Sequence, residues 1–356
     1  MRRRAKKLLF ALAPLAALLI VSEAACRLFL PVTEQNRPGS AFVTPDPDLV
    51  WKLAPCPGPR PCVNEIGLRD GPYRARADVK ILLLGDSVAW GEGMPDMAQV
   101  FPQLWEKELG ERFPGLTVEV VNASVPGYST FQESAYLAIH GPAIAPDAVV
   151  LCFCLNDAVE RYQTLAPWGG SEKFMGVDTR GAAKGVFGAL LRNSRAFFAL
   201  SALAQKAFRN REDLQVRKMA ERDWPPALSR AWEFSLQELS RAREVAAGLG
   251  APFFLVIAPY RFQLDDPAAS RKPQDLLLAW ADARRVPALD LLPAFARVSS
   301  LFPDKSLFLD ENHFSPAGHR LAASLLSRFF EERVRNISQK KGLSLAPAVN
   351  DNRVYK

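Results

Sequence analysis

Two periodicities alternate along most of the chain. Near-continuous apolar runs at residues 81–84, 148–154 and 253–258, with a shorter one at 118–121, read as strands buried on both faces. Between them lie stretches whose apolar residues recur at helical spacing. Residues 97–109 place Val100, Phe101, Leu104 and Leu109 on one face, and Ser129 followed by Gln132 is a capping box that opens the next helix. Helices over 226–249, 273–285 and 316–335 and a short strand over 286–289 complete the series. Such alternation predicts an α/β fold, a three-layer α/β/α sandwich with a mainly parallel sheet. Ligands of such a sheet belong at the carboxyl ends of its strands.

The rhythm also divides the chain. Residues 1–31 read as a membrane anchor or signal segment, 32–77 as a Pro- and Gly-rich lead-in, 78–335 as the main domain and 336–356 as a disordered tail. Residues 158–225 interrupt the domain with a basic, helix-prone insertion, LLRNSRAFFALSALAQKAFRNRE within it, which predicts an amphipathic helix over the core or the site.

Composition changes the picture at the N-terminus. The chain has 356 residues, 49% of them hydrophobic, enough for one large α/β domain with extensions. Its formal charge is +7, but Arg2, Arg3, Arg4, Lys6 and Lys7 contribute most of it, so the remainder is close to neutral and has no nucleic-acid footprint. Those five residues precede the apolar run at 8–21, the order of an export signal. The run spans roughly 21 Å as helix, short of the ~30 Å hydrocarbon core, but continuing to Leu30 past Glu23 and Arg27 reaches it. The preferred reading is an uncleaved single-pass anchor in the bacterial inner membrane, with the N-terminus cytoplasmic and the domain periplasmic or extracellular. Cleavage after Ala24 and secretion is the alternative. Cys56 and Cys62, in the stiff loop APCPGPRPCVN, suit a disulfide outside the cytosol. Cys152 and Cys154 read as buried small hydrophobes. No Cys/His spacing resembles a zinc site, and no metal or cofactor is expected.

Candidate chemistry sits after the strands. Ser87 follows the first, Gly127 the second and Asn156 with Asp157 the third, while Asp310 and His313 stand in FLDENHFSPAGH before the last helix. A parallel sheet gathers these on one edge as a hydroxyl nucleophile, a backbone donor, an amide donor and a carboxylate–imidazole pair, the equipment for acyl transfer.

The motifs Gly85-Asp86-Ser87, Gly127, Asn156-Asp157 and Asp310-x-x-His313, in that order, resemble the four sequence blocks of the SGNH or GDSL hydrolase superfamily. The resemblance covers about residues 78–335 and implies a flavodoxin-like sandwich. NEIGLRDGPY at 64–73 is similar to the lead-in of the family's membrane-anchored bacterial branch. Val88 replaces the leucine of the GDSL name, and Cys154 stands where the third block has glycine. By this resemblance and by chemical need, Ser87 is the nucleophile, His313 its base and Asp310 the orienting carboxylate. The backbone N–H groups of Ser87 and Gly127 and the Asn156 amide form the oxyanion hole. Asp86 and Asp157 read as loop holders that accept backbone N–H bonds, Gly91 and Gly93 as room beside the nucleophile, and His140 and His319 as structural.

The expected activity is that of an exported serine esterase acting on an O-acyl group, acetyl first, of a carbohydrate or envelope polymer, with a lipid ester as second choice. An O-acyltransferase with the same triad, in which Tyr162, Trp168 and Phe174 of the insertion stack on sugars, and a catalytically silent binding protein are the alternatives.

Overall fold

The computed structural model describes residues 63–158, 216–266, 268–303 and 306–344, with shorter pieces at 14, 18–29, 43–46, 48–53, 194 and 196. The chain divides into two units, 1–51 with 169–211, and 52–168 with 212–356. In the first, residues 18–29 are helical, and Glu23 pairs with Arg27 at 2.7 Å across one turn. Among the described residues no helix is long and apolar enough to cross a membrane. Most of the apolar run at 8–21, Cys56 and Cys62, nearly all of the insertion with its three aromatic residues, and residues 345–356 lie outside the described residues.

The second unit is built on five strands: β1 (Val79–Gly85), β2 (Val118–Asn122), β3 (Ala148–Phe153), β4 (Phe253–Ile257) and β5 (Ala288–Asp290). All pair in parallel, in the order β2-β1-β3-β4-β5. This is the flavodoxin-like winding, whose switch point lies between β1 and β3. The register pairs Leu83 with Asn122, Gly85 with Cys152, Phe153 with Ile257 and Ile257 with Asp290, so the strand ends line up along one edge.

Besides a single turn at Phe262–Asp265, the helices described in this unit include α1 (Ser87–Trp90), α2 (Phe101–Arg112), α3 (Thr130–Ile144), α4 (Pro226–Gly248), α5 (Lys272–Ala283), α6 (Leu292–Leu301) and α7 (Pro316–Lys340). Every residue of β1 to β4 is buried, which requires cover on both faces of the pleat. Trp105 of α2 meets Phe330 of α7 at 4.9 Å, and Phe330 lies 4.7 Å from Phe254 of β4. Elsewhere Phe153 of β3 meets Trp232 of α4 at 5.7 Å, and the Ser134 hydroxyl of α3 donates to the Glu238 carboxylate of α4.

Four details depart from the sequence pattern. The last strand starts two residues late, because the Val286 N–H is taken by the carbonyl of Ala281 at the end of α5 and Pro287 has no N–H to give. Helix α6 has no counterpart in the expected series. Helix α7 runs to Lys340, and Lys341 beyond it donates to Asp147 at 2.6 Å. Within the lead-in, residues 63–74 are ordered by packing: Val63 and Leu68 are buried, and Asn64 closes a turn by accepting from Leu68 N–H at 3.0 Å and donating to the carbonyl of Gly71 at 2.8 Å.

That lead-in also finishes the sheet. Strand β2 is an edge, whose outward amides need partners. The Val120 N–H donates to Glu106 of α2 at 2.8 Å, and the Asn122 N–H to Asp70 at 3.0 Å.

Candidate active site

Ser87 opens a single helical turn that leaves β1 without a connecting loop. Asp86 is its N-cap and accepts from the Val88 N–H at 2.9 Å. Gly85 permits the abrupt change, since a Cβ there would sit 2.9 Å from the Cβ of Ala89. Gly91 ends the turn in the left-handed region, φ +80°, and a Cβ on it would come within 2.2 Å of Val100 Cγ1. Gly91 and Glu92 both donate N–H groups to the Ser87 carbonyl, at 3.0 and 2.9 Å.

The imidazole arrives from the loop before α7. That loop is pinned by the Phe308 and Phe314 bridge, by Leu309 N–H on the His313 carbonyl at 2.8 Å and by Arg261 N–H on the Glu311 carbonyl at 2.7 Å. Asp310 folds back on it: Oδ1 accepts the His313 N–H at 2.9 Å, and Oδ2 lies 2.7 Å from His313 Nδ1. His313 Nε2 lies 2.8 Å from Ser87 Oγ. The carboxylate therefore sets the tautomer, with the proton on Nδ1 and Nε2 open to accept from the serine.

Electrostatics follow from that placement. Burial pushes the His313 imidazolium toward deprotonation, but the hydrogen bond and charge of Asp310 outweigh it, with Asp86 and Glu92 adding to them, and its pKa ends above the ordinary 6.5. For Asp310, burial raises the carboxyl, yet the His313 contacts and two backbone N–H groups bring it down to about 2. Asp86 is fully buried, which pushes its carboxyl up against the opposing pull of its hydrogen bonds to Asn156 and Val88.

The other expected residues fall on the same edge. Asn156, just after β3, donates its Nδ2 amide to Asp86 Oδ2 at 2.9 Å, so the side chain is aimed despite Cys154 in the glycine position. Asp157 accepts the Cys154 N–H at 2.9 Å, the loop-holding role expected of it. Gly127 has φ +77° in the loop after β2, which continues the ladder beside β1 through Val125 N–H on the Gly85 carbonyl at 3.0 Å. His319 is structural: it accepts the Phe101 N–H at Nδ1, stacks on that ring at 5.9 Å, and burial drives its pKa down to about 3. His140 packs on Tyr136, 4.5 Å between ring centroids.

Two residues of the site escape sequence reasoning. Arg69 donates to the carbonyls of Trp90, Gly91 and Met94, and Asn122 donates to that of Ala89. The only sequence signal was Arg69 within NEIGLRDGPY. Among the described residues no group of three His, Cys, Asp or Glu is arranged to hold a metal ion.

A serine, a tautomer-fixed imidazole and a carboxylate joined in series can perform nucleophilic acyl chemistry. The sequence agrees: residues 83–321, more than half of the chain, match the GDSL-like Lipase/Acylhydrolase family, and the protein belongs to it. It is an ester-hydrolysing serine hydrolase. Solved structures with a similar fold include a catalytic mutant of an acetylxylan esterase from Geobacillus stearothermophilus (17% identity, 72% of this chain and 94% of that one, TM-score 0.44). A two-domain esterase active on acetylated mannans matches at 13% identity over 77% of this chain and 53% of that one, TM-score 0.42. A lipolytic G-D-S-L family protein from Veillonella parvula matches at 12% identity over 71% and 97%, TM-score 0.38. None of the curated proteins matches the chain in sequence.

Proposed function

We propose that the protein is an exported, membrane-anchored serine esterase that removes an acetyl group from a hydroxyl of a carbohydrate or envelope polymer through an acyl-enzyme on Ser87. The observation that carries the catalytic part is the unbroken series from Asp310 through His313 to Ser87, at 2.7 and 2.8 Å. His313 Nε2 takes the Ser87 proton as Oγ attacks the ester carbonyl, and Asp310 stabilises the imidazolium that forms. The tetrahedral oxyanion is received by the backbone N–H groups of Ser87 and Gly127 and by the Asn156 amide, which Asp86 aims. Each such donor typically lowers the barrier by about 3 kcal/mol. The imidazolium then protonates the leaving sugar oxygen, and a water activated by the same nitrogen releases acetate. Export rests on the five basic residues before the apolar run. The choice of a polymer over a lipid ester rests on that proposed location alone.

A second reading, transfer of the acyl group to a sugar hydroxyl, draws on the end of the insertion. Val216 and Met219 there are buried, and Arg217 pairs with Glu311 at 2.6 Å, inside the loop that carries His313. A transferase needs its acyl-enzyme shielded from water. Residues 32–356, offered short- and long-chain esters and acetylated glycans, should release acetate fastest from the glycans, and Ser87→Ala should lose both release and fluorophosphonate labelling. Preference for long acyl chains would replace the substrate class. Acetate that falls as acceptor oligosaccharide is titrated in, with acetylated acceptor accumulating in proportion, would make the enzyme a transferase.

A further inference from the structure

We infer that Arg69, which precedes the family-matched segment, is a positioning residue that fixes the turn carrying Ser87. The inference rests on Ser87 being the nucleophile.

Helix α1 has four residues, so none of its carbonyls can find a partner within it, and so short a helix has no stability of its own. Partners therefore have to come from outside, and all four can be named. Ser87 O accepts from the N–H groups of both Gly91 and Glu92, and Val88 O from that of Gly91 at 3.2 Å. Ala89 O accepts from Asn122 Nδ2 at 3.3 Å. Trp90 O accepts from Arg69 at 2.8 Å, and the same guanidinium also holds Gly91 O at 2.8 Å and Met94 O. Arg69 is buried and lies 4.9 Å from the Trp90 ring centroid. Burial lowers its pKa, with Glu92 and Asp96 opposing, yet an arginine stays charged in such a place.

Three carbonyls shared between two guanidinium nitrogens, Nη1 on Trp90 and Gly91 and Nη2 on Met94, suit a fork of N–H donors better than the single ammonium of lysine. The next residue, Asp70, supports the second fastening: it accepts the Asn122 N–H at 3.0 Å, and Asn122 in turn holds Ala89 O. The loop that delivers both is itself fixed by Asn64, which accepts from Ile66 and Leu68 and donates to Gly71. Residues 64–73 thus clamp the far end of the turn whose first residue is the nucleophile. Without Arg69 the carbonyls of Trp90 and Met94 lose this donor and that of Gly91 keeps the Met94 N–H alone, at 3.1 Å, so the turn resets and carries Ser87 with it relative to His313. A displacement of about 1 Å at a reacting atom costs on the order of a hundredfold in rate.

The test compares full-length wild type, Arg69→Met, Arg69→Lys and Ser87→Ala for kcat and KM on p-nitrophenyl acetate, the rate constant of fluorophosphonate labelling, and melting temperature. Arg69→Met should fold, keep KM within about twofold, and lose about ten- to a hundredfold in both kcat and labelling rate. Arg69→Lys should recover part of each. If Arg69→Met does not fold, Arg69→Lys is judged by the same readouts. A kcat and labelling rate within twofold of wild type, a loss confined to KM, or unfolding of both variants would overturn the assignment. Ser87→Ala separates the two ideas: activity surviving in it removes the nucleophile reading, whereas an inactive Ser87→Ala beside a fully active Arg69→Met removes only the role of Arg69.

Discussion

Asp310 is half exposed and His313 buried, and the pair divides its work accordingly. Catalysis needs His313 neutral, and its pKa lies above 6.5, so activity should fall on the acid side through a midpoint above that value. In Asp310→Asn the raising partner is gone and burial acts on the imidazole with less opposition. The midpoint of the acid limb should move down while kcat falls by roughly a thousandfold or more, because the tautomer is no longer fixed. A pH–rate profile of the residual activity checks both signs, and an unmoved midpoint would detach Asp310 from His313. Glu133 is a different case. It is buried, neither of its oxygens has a hydrogen-bond partner among the described residues, and burial with the nearby charge of Asp86 holds its carboxyl well above 4.5. The unfolded chain ionises there above about 4.5 while the native one stays protonated, so stability is lost as pH rises past that point. Glu133→Gln should therefore raise the melting temperature at pH 8 and leave it nearly unchanged at pH 4; the same difference at both pH values would contradict this.

The one-turn helix α1 illustrates how a short element is held by its surroundings. Gly91→Ala meets both a left-handed backbone and the Val100 side chain 2.2 Å away. It should cost more than about 1 kcal/mol, several degrees of melting temperature in a domain of this size, and most of the activity. Val100→Ala in the same chain relieves the contact but not the backbone, so it should restore part of the loss; additivity of the two changes would show that the clash is not the cause. Elements whose signal is local were legible in sequence: apolar runs gave β1, β3 and β4, and the Ser129 and Gln132 capping box is present, with the Ser129 N–H on Gln132 Oε1 at 3.0 Å. Helix α6 was not, because Val298, Ser299 and Ser300 carry little helix propensity and burial of Leu292 and Phe295 decides the matter. The meeting of Asp310, His313 and Ser87 could be read because a parallel sheet brings strand ends together by rule. Arg69 could not, since its partners are backbone carbonyls, which have no sequence identity. Nor could the Asn156 bond to Asp86, whose two halves stand 70 residues apart.

At the scale of the whole chain, five basic residues before the apolar run predict a cytoplasmic N-terminus and an external catalytic domain. Protease added to spheroplasts should digest the domain, and protection until lysis would reverse the placement. The sheet carries a further consequence. Its β2 flank is closed not by another strand but by the acids of two side chains, Glu106 of α2 on Val120 and Asp70 of the lead-in on Asn122. Burial holds both carboxyls above the ordinary carboxylate range, so they take up protons in milder acid than a surface group does. A neutral carboxyl grips an amide less firmly than a carboxylate. Acidification therefore weakens the cover on the Val120 and Asn122 donors, and strand donors that are loosely held recruit other strands. Light scattering by the wild type should rise as pH is lowered toward 4.5, and Glu106→Gln should scatter more than wild type already at neutral pH; equal scattering there would leave the flank closed by something else. On this reading the acids that complete the sheet should also make self-association a function of pH.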